Sequence, residues 1–209
     1  MAERLRLYVD ADFLSPYAMS AYVALRKKKL DFDIVRMDLG GGEQHAAAYA
    51  EISLTRRVPT LVHGDFSLAE SSAISEYLDE CFPPPAHIAL YPQDAKQRAR
   101  AREIQAWLRS DLAALRQERS TAIVFSGARG EPLSEMARTA AAKLFTAGET
   151  LLKGDAQHLF GDWSIADADF ALMLNRLVLN GDEVPERLAE YARRQWQSDA
   201  IQAWLALGR

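Results

Sequence analysis

The chain has 209 residues, of which 49% are hydrophobic and 26% charged, a composition typical of globular proteins. Its net charge of −4 gives no electrostatic reason to expect a nucleic-acid partner, and its single cysteine, Cys81, excludes an internal disulfide. No apolar stretch approaches the roughly 18 to 20 residues that a membrane span needs, and the N-terminus lacks the layout of a secretion signal. We therefore expect a cytoplasmic protein that binds neither membranes nor nucleic acid.

The first part of the chain predicts a βαβ unit followed by a helix, a hairpin and a further helix. The predicted elements are a strand at 5–9, a helix from Pro16 to the basic residues 26–29, a strand at 32–37, a short helix at 43–51, a hairpin of 60–62 with 66–68, and a helix bearing Ile74, Tyr77, Leu78 and Cys81. Because a crossover helix joins them, the first two strands should be parallel. The cations at 26–29 favour the negative end of the helix dipole, and the helical spacing places Cys81 on a buried face.

Pro83, Pro84 and Pro85 mark the clearest boundary in the chain, because three prolines cannot continue a helix and favour an extended spacer. Beyond this spacer the pattern is helical, with helices predicted at 95–125, 134–153, 165–180, 185–195 and 199–207. We therefore predict an α/β domain at 1–82, a linker at 83–92 and an all-helical domain at 93–209.

Four segments carry a resemblance to a known family. They are Leu7-Tyr8-Val9-Asp10, Ser15-Pro16-Tyr17-Ala18, Val58-Pro59-Thr60-Leu61-Val62, and the stretch from Gly64 to Ile74 that contains Glu70-Ser71. Together they resemble the glutathione-binding half of glutathione transferases, and most closely the theta-like, serine-type classes. The resemblance implies a thioredoxin-like βαβ-α-ββα domain followed by an all-helical domain, with glutathione as co-substrate and a homodimer as the assembly.

Ser15 is the catalytic candidate that the resemblance implies. It precedes Pro16 at a predicted helix N-terminus, where a hydroxyl donor and partial positive charge converge. Glutathione's thiol, with a pKa near the free cysteine value of about 8.5, is mostly protonated at neutral pH. A hydrogen bond donated by Ser15 would favour the thiolate, and lowering the thiol pKa by about two units needs roughly 2.7 kcal/mol. The local sequence fits a plain N-cap equally well, and Tyr8 and Tyr17 are alternative donors.

The same resemblance implies the other glutathione contacts. The Val58–Pro59 bond is cis in the family, which would turn the backbone N–H and C=O of Val58 outward. A peptide ligand could then pair with them as an added strand would. A trans turn proline is the ordinary alternative. The γ-glutamyl carboxylate would lie at Ser71, the predicted N-cap of a helix, and the ammonium at Glu70. The remaining candidates, which also fit a solvated surface, are Arg57, with a fork suited to a carboxylate, and His45, near the glycyl end.

The helical half contributes a folding signature and a candidate pocket. Ser164 and Asp167 form a capping-box variant at the start of a central helix, so their predicted role is in folding. The pocket for the second substrate is assigned to one helical stripe, which fits packed core equally well: Trp107, Asp111, Leu115 and Arg119. The histidines, at 45, 63, 87 and 158, form no short ligand pair, so no metal is expected.

These residues predict an enzyme in which glutathione thiolate attacks a small electrophile or reduces a peroxide. Two alternatives stay open. One is a glutathione-dependent disulfide reductase that uses two glutathiones in place of an enzyme cysteine, and the other is a non-catalytic interaction domain of the same fold. The presence of Ser15, Val58-Pro59 and Glu70-Ser71 favours a working site.

Overall fold

The computed structural model describes residues 4–208, which divide into two compact units. The first unit runs to Leu90 and takes in the chain end from Ala203, and the second runs from Tyr91 to Gln202. The sequence-based limits of 1–82, 83–92 and 93–209 therefore differ from the units at the linker and at the C-terminus.

In the first unit, strands and helices alternate in the predicted order. Its elements are β1 (Leu5–Asp10), α1 (Pro16–Lys27), β2 (Phe32–Met37), a 3-10 turn (Glu43–His45), α2 (Ala47–Ala50), β3 (Thr60–His63), β4 (Phe66–Ala69) and α3 (Ser71–Cys81). The four strands form one sheet in the order β2-β1-β3-β4, in which β1 is parallel to β2 and antiparallel to β3. The predicted parallel pairing is confirmed, and the helix predicted at 43–51 is divided into the 3-10 turn and α2.

β1 lies between β2 and β3 in the sheet, and both of its faces are buried. Leu7 and Val9 are fully buried on one face, whereas Tyr8 packs on the other face with Met37 and Tyr49. Successive side chains of a strand point to opposite faces, so a strand covered on both sides needs apolar residues in succession. The run from Leu7 to Val9 supplies them.

Lys28, one of the basic residues at the end of α1, is buried. Its Nζ atom pairs with the Asp79 carboxylate at 3.0 Å and donates to the carbonyls of Phe82 (2.8 Å) and Ile88 (2.9 Å). Asp79 also accepts a hydrogen bond from the Leu90 amide at 2.8 Å. A buried ammonium is tolerated only with such partners. They fasten the segment after α3 to the end of α1.

That segment is not the extended spacer that three prolines predict. The chain turns at residues 84–86, and the His87 amide donates to the Pro83 carbonyl at 3.3 Å. The His87 ring lies 2.8 Å from the carbonyl of Lys28. The fixed φ of proline suits turns as well as extended chain, and here the surrounding hydrogen bonds select the turn.

The second unit is helical, as predicted. Its helices are α4 (Ala95–Ser110), α5 (Ala113–Glu118), α6 (Thr121–Ser126), α7 (Glu135–Leu151), α8 (Ile165–Val178), α9 (Glu186–Trp196) and the start of α10 (Asp199–Leu207). The prediction of one helix at 95–125 is wrong, because Leu112 has a φ of 59°, in the left-handed region that interrupts a helix. No helix within residues 4–208 is both long and apolar enough to cross a bilayer.

Asp167 holds the N-terminus of α8, the most buried helix of the second unit. Its carboxylate accepts hydrogen bonds from the backbone amides of Leu159 and Ser164, both at 2.8 Å, and from the Tyr191 hydroxyl at 2.8 Å. Burial raises the pKa of the Asp167 carboxyl and of the Tyr191 phenol. The predicted capping box is confirmed, and the carboxylate serves more donors than a cap requires.

Asp167→Ala should therefore cost more than the roughly 0.5–2 kcal/mol of a lost cap. The Leu159 amide and the Tyr191 hydroxyl would each lose an acceptor at a cost of about 1–3 kcal/mol, so we expect a total loss of about 3–8 kcal/mol in the free energy of unfolding by urea. Asp162→Ala, at an exposed position of the preceding loop, is the matched control and should change stability by less than about 0.5 kcal/mol. Equal losses for the two variants would contradict this account of the helix.

Candidate functional site

The segments that carry the predicted glutathione contacts lie at one end of the sheet. The register pairs Tyr8 with Thr60, and Thr60 with Ala69. The end of β1, the start of β3 and the end of β4 therefore lie side by side. The chain next to these strand ends carries, respectively, Ser15, Val58–Pro59 and Glu70–Ser71.

Ser15 is the N-cap of α1, and its hydroxyl oxygen accepts a hydrogen bond from the Ala18 amide at 3.2 Å. Pro16 occupies the first helical position, where the missing N–H costs nothing. A serine hydroxyl has two acceptor lone pairs and one proton to donate. Capping the helix and donating to a ligand are therefore compatible roles, although the sequence analysis treats them as alternatives.

Asp10 is a residue of this site that sequence reasoning misses. Its carboxylate accepts hydrogen bonds from the backbone amide of Ser15, at 3.1 Å, and from that of Leu14. Burial raises the pKa of the Asp10 carboxyl, and the two amides partly offset this by favouring the charged form. The signal available in the sequence is an acid that ends a strand five positions before a serine N-cap.

The two tyrosines proposed as alternative donors differ in their surroundings. Tyr8 is 7% exposed, and its ring centroid lies 5.7 Å from that of Tyr49, in the core beneath the sheet. Tyr17 is half-buried in the first turn of α1, two residues beyond Ser15. Of the two, Tyr17 has the more accessible side chain.

The Val58–Pro59 peptide bond is cis, as the resemblance implies. Within residues 4–208, neither the amide nor the carbonyl of Val58 makes a hydrogen bond, so both are available to an extended ligand. The preceding carbonyl, that of Arg57, is fixed by the Tyr49 hydroxyl and the Thr60 hydroxyl, each at 2.9 Å. The Arg57 side chain itself is exposed.

Glu70 joins β4 to α3 and is the N-cap residue of α3. Its φ of 71° lies in the region that favours glycine, and its side chain is exposed and makes no capping bond. Ser71 is buried and is the first residue of the helix, so the prediction that Ser71 is the N-cap is wrong. An exposed carboxylate thus stands beside a helix N-terminus, which attracts anions.

His45 is exposed on the 3-10 turn after β2. Its ring nitrogen lies 3.2 Å from the Gln44 side-chain amide. Because Asp10 pairs with Met37, the chain leaves β2 at the same end of the sheet as it leaves β1. In the described part of the chain, no hydrogen bond links His45 to the other candidate residues.

The four residues of the predicted second-substrate stripe do not share one helix. Trp107 belongs to α4 and Leu115 to α5, while Asp111 and Arg119 are the C-cap residues of these helices. Leu115 is fully buried, and Arg119 is 1% exposed, with two hydrogen bonds of 2.6 Å to the Asp182 carboxylate. Leu115 and Arg119 are therefore core residues of the second unit rather than pocket lining.

Trp107 and Asp111 are both half-buried. The Trp107 indole N–H donates to the Asp111 carboxylate at 3.0 Å, and Asp111 also forms an ion pair with Lys143. The Lys143 hydrogen bond lowers the pKa of Asp111 to about 2. These two residues keep accessible atoms, and their predicted contact with a second substrate stays a prediction.

Cys81 is exposed at the end of α3, so the prediction of a buried cysteine is wrong. The helical period places it on the stripe of Ile74 and Leu78, but the helix ends there, and its last turn is not covered. Among residues 4–208, no three His, Cys, Asp or Glu side chains are grouped to hold a metal ion.

Models of known protein families match both halves of the chain. A model described as "Glutathione S-transferase, N-terminal domain" matches residues 12–86, and one described as "Glutathione S-transferase, C-terminal domain" matches residues 94–209. Human glutathione S-transferase theta-1 is 36% identical over 152 residues, 70% of this chain and 59% of that protein. Mouse glutathione S-transferase theta-3 is 37% identical over 108 residues, 52% and 43% respectively. The chain thus spans about half the length of these relatives.

Solved structures match almost the whole chain. A glutathione transferase homologue from Burkholderia gl BGR1, with bound glutathione, is 44% identical with a TM-score of 0.81, covering 99% of this chain and 98% of that chain. A glutathione S-transferase from Rhodospirillum rubrum F11 is 26% identical with a TM-score of 0.70, covering 96% and 91%. The predicted fold, a thioredoxin-like domain followed by a helical domain, is confirmed.

The positive φ of Glu70 should cost stability, because a non-glycine residue in this region stores about 1–3 kcal/mol of strain. Glu70→Gly relieves the strain but adds roughly 0.4–1 kcal/mol of unfolded-chain entropy, so we expect a net gain of about 1 kcal/mol in the free energy of unfolding. Glu70→Ala is the matched control, since it removes the carboxylate and keeps Cβ. If urea denaturation gave the two variants equal stability, the backbone at this position would be unstrained.

Proposed function

We propose that this chain, which belongs to the glutathione S-transferase family, binds glutathione at the sheet end formed by β1, β3 and β4 and activates its thiol with Ser15. The observation that carries the proposal is the hydrogen bonding of the Ser15 hydroxyl. Its oxygen is occupied by the Ala18 amide, which leaves the proton to be donated outward. A thiolate that accepts this proton's hydrogen bond would also lie at the positive end of the α1 dipole.

The γ-glutamyl end of glutathione fits the start of α3. Its carboxylate is an anion suited to the positive end of the α3 dipole, where the helix begins at Ser71. Its ammonium requires a nearby acid, and Glu70 supplies an exposed carboxylate one residue earlier. The carboxylate of the ligand is thereby matched to the partial positive charge at the N-terminus of α3, and its ammonium to the negative charge of Glu70.

The middle and the glycyl end of glutathione fit the segment before β3. The free amide and carbonyl of Val58, with Pro59 behind them, suit the cysteinyl backbone as an added strand would. Arg57 and His45 are exposed cations or hydrogen-bond donors that we assign to the glycyl carboxylate. The Burkholderia homologue, whose structure holds glutathione, supports this choice of ligand.

The reaction that follows is nucleophilic. The thiolate sulfur forms a bond to an electrophilic carbon while a leaving group departs, or attacks one oxygen of a peroxide while the other leaves as an alcohol or water. Trp107 and Asp111 remain our candidates for contact with this second substrate. We further propose a homodimer in the cytoplasm, where glutathione is kept reduced.

The deciding measurement is glutathione titration of wild type and Ser15→Ala, with the ultraviolet thiolate band followed across pH. We expect wild type to show bound thiolate below pH 7, about two units below the free thiol. Ser15→Ala should still bind glutathione, but its bound thiol should titrate near the free value of about 8.5. Ser15→Thr, which keeps the hydroxyl, is the matched control and should retain most of the thiolate.

Each other outcome would assign a different activating group or a different function to this protein. Equal thiolate in wild type and Ser15→Ala would transfer the activating role to another donor, with Tyr17 tested next. Failure of wild type to bind glutathione would contradict the enzyme proposal and favour a non-catalytic interaction domain. Thiolate formation with turnover of mixed disulfides, but not of electrophiles or peroxides, would favour the disulfide reductase.

A further inference from the structure

The loop that carries Ser15 is held from inside the first unit by Asp10. The two carboxylate oxygens of Asp10 accept from two successive backbone amides, one oxygen from Ser15 at 3.1 Å and the other from Leu14. Asp10 is 7% exposed, so a carboxylate buried at this position is retained only with such partners. A second link, from the Phe13 amide to the Asp10 carbonyl at 3.2 Å, closes the loop on itself.

The same loop is held from outside by Arg36 on β2. The Arg36 guanidinium donates to the Ala11 carbonyl at 2.8 Å and lies 5.4 Å from the centroid of the Phe13 ring. Phe13 has a φ of 56°, a strained conformation that persists only when its surroundings impose it. Trp204, fully buried near the chain end, packs edge-to-face with Phe13, with 5.3 Å between the two ring centroids.

We propose that Asp10, supported by Arg36, is a positioning residue for Ser15, because it fixes the backbone from which the Ser15 hydroxyl is aimed at the ligand's sulfur. The inference rests on the proposed function and adds to it a residue that does not touch the ligand. Its contacts reach the Ser15 amide and the residue before it, so any shift of the carboxylate moves the start of α1.

The physical reason is the directional character of hydrogen bonds. A donor that is displaced or rotated loses most of its interaction with the acceptor, and a misplacement of about 1 Å at a reacting group costs roughly 100-fold in rate. Asparagine cannot replace Asp10 without loss. Its one carbonyl oxygen can face one of the two amides, and its NH2 group would then point at the other donor.

The test is the pKa of the bound glutathione thiol in Asp10→Asn, read from the ultraviolet thiolate band. We expect a rise of about one unit in this pKa when the serine is misaligned, which lowers the ratio of thiolate to thiol roughly tenfold, with little change in the glutathione dissociation constant. Asp12→Asn is the matched control. Asp12 is exposed in the same loop, and in residues 4–208 its side chain accepts no hydrogen bond, so the variant removes the same charge without releasing Ser15.

A purely structural role for Asp10 predicts a different pattern. Asp10→Asn would then lower the melting temperature while the bound thiol titrated as in wild type, and that result would overturn the inference. In a Ser15→Ala background, Asp10→Asn should cause no further rise in the thiol pKa. A full additional rise there would also overturn the inference, since the carboxylate would act without the serine.

Arg36→Lys is the second variant, in case Asp10→Asn does not fold. Arg36 is exposed, and lysine keeps the charge while losing the planar group that covers Phe13. A raised thiol pKa in this variant supports the inference, and an unchanged one overturns it. Wild type, measured alongside, separates the two proposals, because absent thiolate in wild type overturns the proposed function itself.

Discussion

The pairing of Tyr8 with Thr60, and of Thr60 with Ala69, is the constraint on which the candidate site depends. Segments distant in sequence reach one end of the sheet only because β1 and β4 both pair with β3 in this register. A slip of one residue would turn every side chain of a strand to the opposite face. The buried pair of Leu7 and Leu61 opposes such a slip, so the apolar core fixes where the polar site is assembled.

Two helices begin at this end of the sheet and give it its electrostatic character. α1 starts after the short loop from β1, and α3 starts one residue after β4. Each helix places the positive end of its dipole at this end of the sheet. A ligand with a carboxylate at one end and a thiolate in its middle can therefore place one anion at each helix.

The parts of the fold that follow from local rules are readable in the sequence. Ser15 before Pro16 marks a helix start, and the bounds of β2 follow from its composition. The burial of Lys28 cannot be predicted from the sequence, because it depends on Asp79, which lies 51 positions away in the chain. The break at Leu112 has no local cue, since leucine ordinarily favours helix. The site segments around Pro59 are predictable only through the family resemblance. The role of Asp10 depends on its hydrogen bonds to the Leu14 and Ser15 amides, which only the structure shows.

A crystal structure with glutathione bound tests the central claim most directly, since it locates the sulfur relative to the donors at the start of α1. The account predicts the sulfur within hydrogen-bond distance of the Ser15 hydroxyl, with that hydroxyl still accepting from the Ala18 amide and the γ-glutamyl group at Glu70 and Ser71. A sulfur bonded instead to Tyr17 or Tyr8, or a glutathione whose γ-glutamyl carboxylate lies away from α3, would contradict it.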